Sequence, residues 1–99
     1  FSAQEKQYHI TIQTMNNENV ASVLDGAVIY INQGVNCAYT IMIKHTDYIS
    51  IYQGIKKPLK QVGDYILAGD CIGIAGENPI GFELWKNDKP INPEEVIAF

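Results

Sequence analysis

Seven runs rich in Val, Ile, Tyr and Thr, each only five or six residues long, follow one another along this chain: Ile10 to Thr14, Val20 to Leu24, Ala27 to Asn32, Tyr39 to Lys44, Tyr48 to Gln53, Cys71 to Ala75 and Phe82 to Lys86. Turn signals stand between them at Asp25-Gly26, Thr46-Asp47, Val62-Gly63-Asp64, Gly69-Asp70 and Asn87-Asp88. Short strands at that spacing predict an all-β fold, a small antiparallel barrel or sandwich. Only the tail departs from the pattern. Asn92 supplies an N-cap side chain, Pro93 suits a first helical position, and Glu94 and Glu95 sit at the positive end of a helix dipole, so one short C-terminal helical turn is predicted. The segments 16–19 (NNEN) and 56–61 (KKPLKQ) read as exposed loops.

Ninety-nine residues suffice for one domain with a single core, so residues 1–99 are read as one unit. The formal charge is −4 and all seven basic residues are lysine. Without arginine there is no guanidinium fork for phosphates or base edges, and nucleic acid is not an expected partner. No apolar run approaches the ~20 residues that cross a bilayer, and the first ten residues lack a signal-peptide core. The expectation is a chain soluble as given, and a fragment of a longer exported protein.

Cys37 and Cys71 show no CxxC spacing, and Cys71, inside an apolar run, reads as a small buried hydrophobe. A disulfide between them is not decided by sequence. His45, after the strand ending at Lys44, reads as a hydrogen-bonded strand-end residue, and His9 similarly. No local spacing joins these four into a metal site.

Alternation assigns faces. Between Gly81 and Trp85, Phe82 and Leu84 point to the core, while Gly81, Glu83 and Trp85 point the other way. In the strand from Tyr48 to Gly54, the residues Tyr48, Ser50, Tyr52 and Gly54 share one face, and Ile49, Ile51 and Gln53 share the opposite one.

The stretch 62–76 (VGDYILAGDCIGIAG) followed by 81–93 (GFELWKNDKPINP) resembles the LytM or M23 endopeptidase family, with its Val-Gly-x-x-Val-x-x-Gly-x-x-Ile-Gly stretch, His-x-His-Phe-Glu motif and Asn-Gly-x-x-x-Asn-Pro ending. Residues 19–31 (NVASVLDGAVIYI) and 39–55 (YTIMIKHTDYISIYQGI) are similar to two further segments of that family, so the resemblance runs from about His9 to Pro93. It implies a barrel-sandwich or duplicated-hybrid-like domain. An active member would hold zinc with a His and an Asp from a His-x-Gly-x-Asp segment and the second His of His-x-His, the open fourth position activating water. Those ligand positions fall here on Gln7, Thr11 and Gly81, and the catalytic histidine positions on Gly54 and Pro79. A two-residue slip would instead place His9 and Gln13 at the first two ligand positions. Neither set is a zinc site, and glycine and proline side chains cannot transfer a proton.

The resemblance therefore implies a pseudoenzyme without a cofactor. The implied function is that of a noncatalytic regulatory or binding module of bacterial cell-wall remodelling, in the manner of murein hydrolase activators. It would activate a peptidoglycan amidase or scaffold an envelope complex, in the periplasm or another extracytoplasmic compartment. An alternative is a peptidoglycan-binding domain without hydrolysis. A biotinyl- or lipoyl-type carrier, suggested by the turn 62–70 (VGDYILAGD), would need Lys89 at an exposed hairpin tip. The faces assigned above make Tyr48, Tyr52, Glu83 and Trp85 the candidate groove, an amphipathic patch for a protein segment or a glycan ring. Lys56, Lys57 and Lys60 border it or form a solvated loop. Trp85 alone could also simply pack on the sheet surface.

Overall fold

A computed structural model describes residues 9–34 and 37–92. Among them are nine strands: β1 (Ile10–Ile12), β2 (Asn19–Ala21), β3 (Gly26–Gln33), β4 (Tyr39–Lys44), β5 (Ile49–Pro58), β6 (Tyr65–Ile66), β7 (Cys71–Ala75), β8 (Ile80–Lys86) and β9 (Lys89–Ile91). Every pairing is antiparallel, and the main path runs β1-β8-β5-β4-β3-β6 without closing. From it branch β7, which pairs β5 and β2, and β9, which pairs β8. The all-β antiparallel class expected from the sequence is the one observed. The helical turn expected after Asn92 lies outside the described residues.

β5 organises the domain. Over Ile49 to Gln53 it lies between β4 and β8, and from Ile55 to Pro58 it leaves β8 for β7. Gly54 stands at the changeover with φ +87°, a left-handed conformation that glycine adopts without a Cβ clash. Lys56, Lys57 and Pro58, read from sequence as loop, belong to this second half of β5, where Lys57 pairs with Ile74. The local sequence hides this because exposed lysines beside a proline look like loop, while the ladder to β7 is a tertiary effect. β6 and β9 also escape a reading based on apolar runs. β9 holds Pro90, which a strand tolerates at a sheet margin.

The core lies on one side of the sheet and gathers Val28, Ile41, Ile43, Tyr52, Ile55, Ile66, Ile72, Ala75, Ile80, Phe82 and Leu84. Alternation in β8 sends Phe82 and Leu84 inward, both fully buried. Directly opposite residues of an antiparallel pair share a face, and Tyr52 is opposite Phe82 while Ser50 is opposite Leu84. Tyr52 is thus a core residue, 2% exposed, its ring 5.3 Å from that of Phe82 and tilted by 55°. Its hydroxyl accepts a hydrogen bond from Val23 N at 3.1 Å, and burial raises the phenol pKa.

His45, buried after β4, ties the turn before β3 to β5. A carbonyl only accepts, so Nδ1–H donates to Asp25 O and leaves Nε2 to accept from the Ser50 hydroxyl at 2.8 Å. The neutral imidazole satisfies both bonds, and desolvation lowers its pKa. Gly26 sits against this ring. A Cβ there would lie 2.7 Å from His45 Nδ1 and nearer still to the Lys44 carbonyl.

Candidate functional site

The face of the sheet opposite the core is built in rows fixed by strand register. Thr40, Gln53, Gly81 and Thr11 form one row, Met42, Ile51 and Glu83 the next, and Lys44, Ile49, Trp85 and Pro90 the third. Of the five positions carrying the expected metal and catalytic roles, Thr11 and Gly81 come together as direct partners of β1 and β8. Gln7 lies outside the described residues. Gly54 and Pro79 adjoin one another, since a Cβ on Gly54 would lie 3.3 Å from Pro79 O.

The space beside Gly81 is taken by another side chain. A Cβ at Gly81 would lie 2.9 Å from His9 Cε1 and 3.2 Å from Gln53 Oε1. His9, the residue before β1, is held there by Glu83. Its Nδ1 is 2.7 Å from Glu83 Oε2, while Glu83 Oε1 accepts the Trp85 indole N–H at 2.8 Å. One carboxylate therefore fixes both an imidazole and an indole on this face. These residues do not fit a zinc ion: Gly81 brings no donor, Thr11 brings a neutral hydroxyl where the resemblance expects a carboxylate, and the His9 Nδ1 edge is engaged by Glu83. Among the described residues, no three His, Cys, Asp or Glu side chains converge where they could hold a metal.

Next to this network, toward the Asn87-Asp88 turn, lies an open cavity of about 650 Å³. Met42, Ile49, Ile51 and Trp85 give it an apolar floor, with Lys44 and Lys86 at its edge. Tyr48 lines it from the side, its ring 5.4 Å from the Lys86 ammonium, while also packing against the core.

The structure thus divides the candidate groove. Glu83 and Trp85 share the open face, Tyr48 borders it, and Tyr52 does not belong to it. Alternation orders residues within a strand but does not say which face of β5 matches which face of β8. That depends on register, and a one-residue shift exchanges the faces. Reversing β5 brings in Ile49, Ile51 and Gln53, which sequence reasoning left out together with Met42, Lys44 and His9. Ile49 and Ile51 carried a usable signal, because β5 is apolar on both faces and so has something to cover on each.

Residues 5–93 match the profile of Peptidase family M23. The chain belongs to that family. A relative described as an uncharacterized metalloprotease, from Buchnera aphidicola subsp. Baizongia pistaciae, is 29% identical over 84 residues, covering 78% of this chain. The chain spans only 22% of that protein's length. Helicobacter pylori Csd3 superposes with a TM-score of 0.84 at 21% identity, over 93% of this chain and 27% of that one. A chain in the crystal structure of the SpoIIIAH and SpoIIQ complex gives a TM-score of 0.73 at 22% identity, over 83% of this chain and 64% of that one. At such identities these two likenesses establish the M23 fold and nothing further.

The carrier reading meets a geometric obstacle. The tip of the β8–β9 hairpin is Asn87-Asp88, both with positive φ as a two-residue hairpin turn requires, and Lys89 is already in β9, paired with Lys86.

Proposed function

We propose that this domain is a noncatalytic M23 module that acts by binding, regulating or scaffolding cell-wall remodelling in the bacterial periplasm or another extracytoplasmic compartment. It is a pseudoenzyme, and it belongs to a longer exported protein. The observation that supports this reading is the His9–Glu83–Trp85 hydrogen-bond network packed beside Gly81, the position that the family resemblance gives to the third zinc ligand. In active members zinc supplies a Lewis acid and an activated water. Here Glu83 orients Trp85 and restrains His9, and the adjoining apolar floor offers desolvated contact area to a protein partner such as a peptidoglycan amidase.

A second reading is a domain that holds a peptidoglycan fragment without cleaving it, favoured by the cavity lined by Trp85 and Tyr48, whose rings suit a sugar face. Turbidity of a cell-wall suspension, followed with the domain alone and with added zinc, tests the shared claim: it should stay constant, and clearing abolished by chelator would sink it. Titrations with muropeptides and with an amidase then separate the two readings.

A further inference from the structure

Six of the seven large hydrophobic side chains left exposed among the described residues, Ile29, Tyr30, Leu59, Val62, Tyr65 and Leu67, belong to β3, to β6 or to the segments flanking β6. Four of them, Ile29, Tyr30, Tyr65 and Leu67, lie on or beside the β3–β6 end of the sheet path, where Tyr30 is opposite Met42. There β6 pairs with β3 only at Gly26 and Ala27, and Val28 completes the contact through Asp64 O and Gly63 N. From Ile29 to Gln33 that margin of β3 pairs with no described strand, while its other side stays in regular register with β4 from Tyr30 to Gln33.

Open margins invite pairing with another strand, and proteins ordinarily blunt them with charge, proline or brevity. The other margins here follow that rule: β9 carries Lys89 and Pro90, β1 and β2 have three residues each, and β6 has two. The segment 26–34 (GAVIYINQG) contains no charged residue and no proline.

We propose that this margin is a self-association surface, two copies of the chain joining β3 to β3 antiparallel about a two-fold axis at Ile31. An antiparallel strand margin is complementary to itself under a two-fold, so a second copy needs no further matching. Because Ile29 to Gln33 is uncharged, no like charges are brought opposite, and the chain's net charge of −4 resides elsewhere. With the axis at Ile31, each Ile31, whose partner Ile41 is in the core, meets its counterpart and extends the core across the junction. On the other face Tyr30 meets Asn32 of the second copy, and the exposed side chains around β6 lie beside the seam.

Sedimentation equilibrium of the 99-residue chain across a concentration series, with hydrogen exchange on the same samples, tests this. The expected result is a reversible dimer whose formation slows amide exchange between Ile29 and Gln33. Tyr30→Lys should weaken it about tenfold or more by placing charge in the seam. Adding Asn32→Asp to that variant sets an opposite charge across the axis and should recover part of the loss. Circular dichroism of each variant should match the parent, since both side chains are exposed. A chain that stays monomeric up to about 1 mM, where even the weakest specific contact would register, overturns the proposal. So does a dimer indifferent to Tyr30→Lys, and failure of the Asn32→Asp rescue overturns pairing about Ile31.

Discussion

The imidazole of His9 occupies the space into which any side chain at position 81 would project, 2.9 Å from where the Cβ of that side chain would begin. Gly81 brings no donor of its own, and a side chain introduced there would have to displace the imidazole. Glu83 fixes the result by holding His9 and Trp85 at once.

Core and open-face residues of β8 should separate experimentally. Phe82→Ala is expected to destabilise the domain by about 3 to 5 kcal/mol through the cavity it leaves. Tyr52→Phe, which keeps the ring but loses the bond from Val23 N, should cost about 1 kcal/mol. Trp85→Ala should cost far less than Phe82→Ala in stability, yet weaken partner binding by about 2 kcal/mol. Paired denaturant melts and binding titrations check this, and a Trp85→Ala variant as unstable as Phe82→Ala would place the indole in the core.

A histidine placed at Gly54, where the family resemblance expects a catalytic one, should not create hydrolytic activity. The left-handed φ of +87° strains any side chain there, and the Cβ would press on Pro79 O at 3.3 Å. Gly54→His is expected to lower stability by about 1 kcal/mol or more, read as a fall in thermal midpoint without gain of wall hydrolysis. An unchanged midpoint would show that β5 can change strands without a glycine.

Acid should destabilise the domain through His45. Its folded pKa lies below the ordinary 6.5, mainly because burial disfavours the imidazolium. Near and below that value the unfolded chain takes up a proton that the folded one refuses. The stability His45 contributes is therefore fully present above about pH 6.5 and declines on acidification through it, by at most about 1.4 kcal/mol per pH unit, levelling off below the folded pKa. Denaturant melts from pH 8 to 5 should show this decline, and His45→Asn should remove it. Parallel curves for parent and variant would contradict the assignment.

Much of the fold was legible in the sequence because the apolar runs and their turn residues are local signals. Alternation within β8 puts Phe82 and Leu84 on one face, and that face is the core. What escaped was non-local. Alternation alone puts Tyr52 in the groove because its own strand does not reveal which residue of β8 lies opposite it, and Lys56 to Pro58 read as loop because only β7 makes them strand. The open site was half legible, since Glu83 and Trp85 are neighbours two apart on one strand. His9 reaches them from the residue before β1, 74 positions from Glu83 in sequence, which no spacing rule reports.

The absence of zinc chemistry is the central claim, and metal analysis tests it most directly. The domain, dialysed against zinc and then against metal-free buffer, should retain well under one zinc per chain, and chelator should leave its thermal midpoint unchanged. One tightly bound zinc per chain, removed by chelator with a drop of several degrees in the midpoint, would contradict the account.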